Sequence, residues 1–166
     1  MALNSYIIKN SSKEAVIKVD GANDTVDITL TSLVCADQVL GASGATGYAP
    51  PTVNITAVTS TGEVNSAMNV RRGATGATGA LVVACAPENA PTLQFNQNGY
   101  VEGNTQNTAA IRVTHGGATG ALVTSWITVR KIDGFYSKVE YNQYGAYDDE
   151  TKVGALDISG SPDFTG

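Results

Sequence analysis

Apolar residues at every second position, in short runs broken by glycine, asparagine and proline, constrain this chain more than any other feature. In "TVDITLTSL" Val26, Ile28 and Leu30 share one parity, with Thr25, Asp27 and Thr29 on the other. "EAVIKVDG" repeats the pattern with Ala15, Ile17 and Val19 inward and Lys18 outward. Period two is the signature of strands with one face buried. Further strands are predicted in "SYIIK", "TVNITAVTS" (Val53, Ile55, Ala57), "SAMNVRR" (Met68, Val70), "ALVVACA", "TLQFNQ" (Leu93, Phe95), "AAIRVTH" (Ile111, Val113) and "ALVTSWITVRKI". The intervening "DGAND", "TSTGE", "APENAPT" and "QNGYVEGNTQN" consist of residues that set turns or tolerate positive φ. No segment sustains a 3.6-residue period over three turns; "LTSLVCADQVLGA" has room for one short helix stopped at Gly41. The expectation is an all-β chain: an antiparallel β-sandwich or jelly-roll-like barrel of about eight strands, with an extended C-terminal segment.

A glycine-rich element recurs: "GATGALV" stands at both Gly76–Val82 and Gly117–Val123, and "GATG" also at Gly44–Gly47. Collagen needs many consecutive triplets, usually rich in proline, and two do not suffice. A phosphate loop needs Lys-Ser/Thr and a following helix, whereas a strand-like apolar run follows here. Strand, glycine tip, strand is the local pattern of a β-hairpin, so both copies are predicted to be hairpin tips, lying together at one end of the sandwich. "GASGATGYAPP" ends in a double proline and is expected to be a connecting loop.

Of 166 residues, 42% are hydrophobic and only 15% charged, with a net charge of −5. Such a balance lacks the basic footprint of nucleic-acid binding. Arg71, Arg72, Arg112, Arg130 and Lys131 are scattered and are expected at solvated strand positions. Cys35 and Cys85 lack metal-ligand spacing and sit in apolar stretches, the setting of inert buried thiols, although one disulfide between them is also compatible with the sequence. The N-terminus has no signal-peptide pattern and no run reaches the ~18 apolar residues of a membrane span, so assembly in a cytoplasm, without membrane contact, is expected. The single histidine, His115, ends "AIRVTH" without a nucleophile or metal motif and is expected at a strand end on the surface. "YDDE" (Asp148, Asp149, Glu150) lacks calcium-loop spacing and is expected to be a solvated turn. No catalytic, cofactor-binding or metal-binding set is predicted, and no cofactor. Trp126 falls on the outward parity of its strand, where a terminus, a neighbour or a sugar ring would cover it.

After Ile132 the alternation lapses, and Phe135 is joined by Tyr136, Tyr141, Tyr144 and Tyr147. The division read from this change is a sandwich domain over 1–134 and a tyrosine-rich arm over 135–166, packing on its own body or on a neighbouring subunit. Tyrosine combines a large rigid face with one polar tip and suits wet contact surfaces. Trp126, Phe135, Tyr136, Tyr141, Tyr144 and Tyr147 are therefore the interface candidates.

The opening "MALNSYIIKNSSKEAVIKV", the small-residue strands and the closing "VRKIDGFYSKVEYNQYGAYDDE" together resemble structural virion proteins of tailed bacteriophages, of the T4-like and marine cyanobacterial phage type. The resemblance is compositional and covers most of the chain. It implies a β-sandwich repeated in a virion assembled in the host cytoplasm and held by contacts with itself and other virion proteins, the major capsid protein first among them. Head decoration or cement is the first expectation; a neck, tail or baseplate component, or a carbohydrate-binding β-module using Trp126 and the tyrosines, are the alternatives. An enzymatic role is not expected.

Overall fold

A computed structural model describes residues 2–41, 49–73, 79–95 and 107–138. Its strands are β1 (Asn4–Asn10), β2 (Glu14–Gly21), β3 (Asp24–Ile28), β4 (Gln38–Leu40), β5 (Thr52–Gly62), β6 (Ser66–Arg72), β7 (Ala80–Cys85), β8 (Thr92–Gln94), β9 (Ile111–Gly117), β10 (Val123–Asp133) and β11 (Phe135–Ser137). The chain is all-β; its helical elements include two single 3-10 turns, Leu30–Leu33 and Pro87–Asn89, and the described residues end at Lys138 in helical conformation. Where the sequence has room for one short helix, the first of these turns buries Leu30 and Leu33 and then gives way to β4.

Two antiparallel sheets pack face to face. One has the order β1-β2-β10-β5-β8, the other β3-β9-β6-β7, and a two-stranded ribbon pairs β11 with β4. The predicted inward rows meet between them. Ala15, Ile17, Val19, Val53, Ile55, Ile127 and Val129 from the first sheet join Ile28, Met68, Val70, Ile111 and Val113 from the second in one core cluster. β10 is the central strand, paired with β2 from Val123 to Arg130 and with β5 from Val123 to Asp133.

One row departs from the simple alternation. The β10–β5 ladder shifts register between Thr128 and Val129, placing Ala57 and Ile55 opposite them and leaving Thr56 as the extra residue. Such a bulge reverses the parity of the residues beyond it. Val58 and Ser60 therefore point inward, while Ala57, expected in the core, is only half-buried. The inserted Thr56 stays close to the ladder, its hydroxyl donating to the Thr128 carbonyl at 3.3 Å.

The two glycine-rich copies do different things. The first joins β6 to β7, which pair antiparallel from Met68–Cys85 to Arg72–Ala80, as a hairpin should. The second does not make a hairpin: β9 pairs with β3 and β6, whereas β10 belongs to the opposite sheet. "GGATG" is thus a corner between sheets. Gly117 has φ +115, and a Cβ there would lie 2.1 Å from the Asn65 carbonyl oxygen, so the bend fits only glycine. The stretch looks like a hairpin tip because the demand for small residues is the same, but a close backbone crossing sets it here. Nor do the two copies share an end. Along β6, Ser66 faces Gly117 while Arg72 faces Ala80, so the anchors of the first tip stand at the opposite end from the corner.

Candidate functional site

The polar side chains that the fold takes inside come first, because they change the inventory of groups left for chemistry. Arg72, His115 and Lys131 are 0%, 1% and 8% exposed. Their chemical type points to the surface, yet each extends an inward row: Met68, Val70, Arg72; Ile111, Val113, His115; Ile127, Val129, Lys131. The strands keep their parity to the end, so the side chain is carried inside and must find partners there. The period-two pattern that identifies the core rows contains this signal.

His115 bridges the sheets. Its Nε2 lies 2.9 Å from the Ser125 hydroxyl on β10, and its Nδ1 lies 3.4 Å from the Gly21 carbonyl. Burial lowers the imidazole pKa from its usual 6.5, outweighing the opposing effects of the Gly21 carbonyl and Asp20. Ser125 is itself fully buried, so this serine–histidine pair meets no solvent-borne group and acts as a cross-sheet tie.

Lys131 closes the other end. Its ammonium donates to Asn10 Oδ1 at 2.8 Å, to the Ser11 carbonyl at 2.7 Å and to Gln38 Oε1 at 2.7 Å. It also lies 5.1 Å from the centre of the Phe135 ring, within cation–π range. Desolvation lowers its pKa, against a smaller raising effect from Cys35. Arg72 belongs to the same end, donating through Nη2 to the carbonyls of Val53 and Asn107; Val53 is the register partner of Lys131. Of the five basic residues expected at solvated strand positions, those left outside the core are Arg71, which donates to the Gly79 carbonyl, Arg112, which forms a two-point pair with Asp27 at 2.7 and 2.8 Å, and Arg130.

Cys35 and Cys85 are free, half-buried thiols. The Cys35 thiol donates to Gln38 Oε1 at 3.2 Å, and Cys85 Sγ lies 3.4 Å from the Ser60 hydroxyl. Among the described residues, no three His, Cys, Asp or Glu side chains gather as a metal site, and no helix is long and apolar enough to cross a membrane. A shallow depression of about 190 Å³ is lined by Lys13, Glu14, Thr56 and Arg130, below the ~300 Å³ at which ligand pockets begin.

Trp126 lies half-buried on the outer face of β10, its register partners being Lys18 on β2 and Thr59 on β5. Phe135 instead packs against the core. Tyr136, in β11, accepts a hydrogen bond from the Ala49 amide at 3.1 Å. These three candidates are thus not gathered into one patch. Tyr141, Tyr144, Tyr147 and the acidic Asp148–Glu150 cluster lie outside the described residues, as does the Gly44–Gly47 loop.

A surface that sequence reasoning misses stands at the corner end. Val64 and Leu122 are both exposed and are drawn together by two hydrogen bonds: the Glu63 amide donates to the Leu122 carbonyl at 3.0 Å, and the Leu122 amide to Glu63 Oε2 at 2.9 Å. Glu88 accepts from the Asn65 amide, so both carboxylates are engaged by backbone. Residues 117–120, Gly-Ala-Thr-Gly, are exposed beside them. Val64 and Leu122 fall in turns, where no alternation marks them. No protein-family model and no curated protein gives a significant match to this chain.

Proposed function

We propose that this protein is a structural component of a tailed-bacteriophage particle, a head decoration or cement subunit held by contacts with the major capsid protein and with further copies of itself. The observation that carries the reading is the corner end of the sandwich. Val64, Leu122 and the small residues 117–120 form an exposed face whose nearby carboxylates are tied to backbone amides. An apolar group of this kind, on a rigid two-sheet body with outer rows of Thr, Ser and Asn, suits protein contact. Repetition over a symmetric lattice makes individually weak contacts effective together.

The test is quantitative mass spectrometry of purified particles of the encoding phage. Hundreds of copies per particle support the head, and a few to a dozen move the protein to the neck, tail or baseplate. Its absence from the particles overturns the reading. With the double substitution Val64→Asp and Leu122→Asp, occupancy is expected to fall by about tenfold or more, as for loss of a contact centre.

A second reading, a carbohydrate-binding module, is favoured by one observation: Trp126 half-buried on the outer face of β10, beside Lys18 and Thr59. Glycan-array binding that disappears in Trp126→Ala would select it over the virion role.

A further inference from the structure

We propose that the outer face of the first sheet binds a single neutral, β-1,4-linked glycan chain, laid across the strands with Tyr6 and Trp126 as its two stacking platforms. On the carbohydrate-binding reading, on which this rests, Trp126 is one platform; the row of residues around it supplies the second ring and the ligand class. Register places that row over five strands. Tyr6 on β1 faces Lys18 on β2, Lys18 faces Trp126 on β10, Trp126 faces Thr59 on β5, and Thr59 faces Thr92 on β8. Directly paired residues share one face of a sheet. The row is outward because its neighbours along β2 and β10, Ile17, Val19, Ser125 and Ile127, are fully buried. The register shifts of these ladders, at Ile8, Thr56 and Ile132, all lie to one side of it, so the row itself crosses regular pairs.

Spacing and charge identify the occupant. Tyr6 is 50% exposed and Trp126 half-buried, so both residues reach the surface. They stand two strand spacings apart, roughly 10 Å, which is the separation of alternate rings in an extended β-1,4-linked chain. Successive rings of such a chain are turned over, so alternate rings offer the same apolar C–H face to an aromatic platform. Between the two platforms the charge is already cancelled and drawn aside, because the Lys18 ammonium bonds Asp20 Oδ2 at 3.0 Å along its own strand. A neutral ligand crosses there without burying an unpaired ion. Asn4, Thr124 and Thr61, in the next row, supply donors and acceptors for ring hydroxyls. Neighbouring strands rotate by about 20–25°, which fits one flexible chain and not the flat surface of a crystalline polymer.

The experiment is titration calorimetry of the full-length chain with cello- and chito-oligosaccharides, from disaccharide to hexasaccharide, with malto-oligosaccharides as the α-linked control. A disaccharide reaches one platform and a trisaccharide reaches both. Affinity for at least one β-linked series is therefore expected to rise about tenfold or more from disaccharide to trisaccharide. That step should vanish in Tyr6→Ala, which removes an exposed ring, and persist in Tyr6→Phe, which keeps it. Trp126→Leu, which retains apolar bulk between Lys18 and Thr59, should lose the step as well. Binding that disappears in Trp126→Leu but is unchanged in Tyr6→Ala overturns the two-platform row and leaves the carbohydrate reading in place. Malto-oligosaccharides bound as tightly as the β-linked series overturn the ligand class. No binding to either β-linked series overturns the proposal, and a silent glycan array in addition removes the carbohydrate reading with it.

Discussion

Arg72, His115 and Lys131 terminate rows otherwise made of methionine, isoleucine and valine, and the energetics of burying them differ. Lys131 gives up hydration for three neutral oxygens and an aromatic ring, and its lowered pKa reflects that loss. Replacing it with methionine keeps the stem but strands the oxygens of Asn10, Ser11 and Gln38, so Lys131→Met should destabilise by about 1–3 kcal/mol in urea unfolding. His115 is set up differently because an imidazole's ordinary range already lies near neutrality. Folding lowers its pKa below 6.5, so the unfolded chain binds the proton first as pH falls. Stability is then lost downward from about pH 6.5 toward the folded pKa, with a slope of at most ~1.4 kcal/mol per pH unit for one proton. Urea midpoints measured between pH 7 and pH 5 should fall less steeply in His115→Gln than in the parent. Parallel slopes would show that the ring titrates alike in both states.

The strands differ in how much of their placement the sequence makes legible. In β2, β6 and β9 the apolar rows are legible because each alternation is unbroken from Ala15 to Val19, Met68 to Val70 and Ile111 to Val113. In β5 the alternation is legible as far as Ile55. The bulge at Thr56 arises from how β10 lies alongside, and no local residue announces it. Parity also carries His115 and Lys131 inward, but weighing chemical type above position sends them to solvent. The "GATGALV" copies are legible as turns and not as different turns, since whether flanking strands pair or change sheets is decided by distant partners. The same holds for Val64 and Leu122, neighbours only through Glu63. A substitution pair separates the two demands on the corner. Gly120, at φ +84 with open space around its Cβ position, should cost about 1 kcal/mol as alanine, whereas Gly117→Ala, which adds a clash with the Asn65 carbonyl, should cost about 3 kcal/mol or more. Thermal denaturation of the two variants gives the comparison.

At the scale of the molecule, the two sheets share one core, and β11 belongs with it. The boundary expected between residues 134 and 135 falls just before a strand that pairs with β4, brings Phe135 over Lys131 and ties Tyr136 to Ala49. Truncation after Lys138 should therefore leave the cooperative unfolding of the body in place. Truncation after Gly134 removes the Phe135 ring and should lower its stability by about 3 kcal/mol, the scale of deleting a packed aromatic side chain. Calorimetry of the two shortened chains against the full one checks both outcomes.

The place of β10 has a mechanical consequence. A pull on the N-terminus meets β1 first, an outermost strand among the described residues, and its bonds to β2 break in succession, like a zip. β10 is gripped from both sides over most of its eleven residues, so the same pull reaching it must slide two ladders at once. Under load the molecule has a soft margin and a stiff spine.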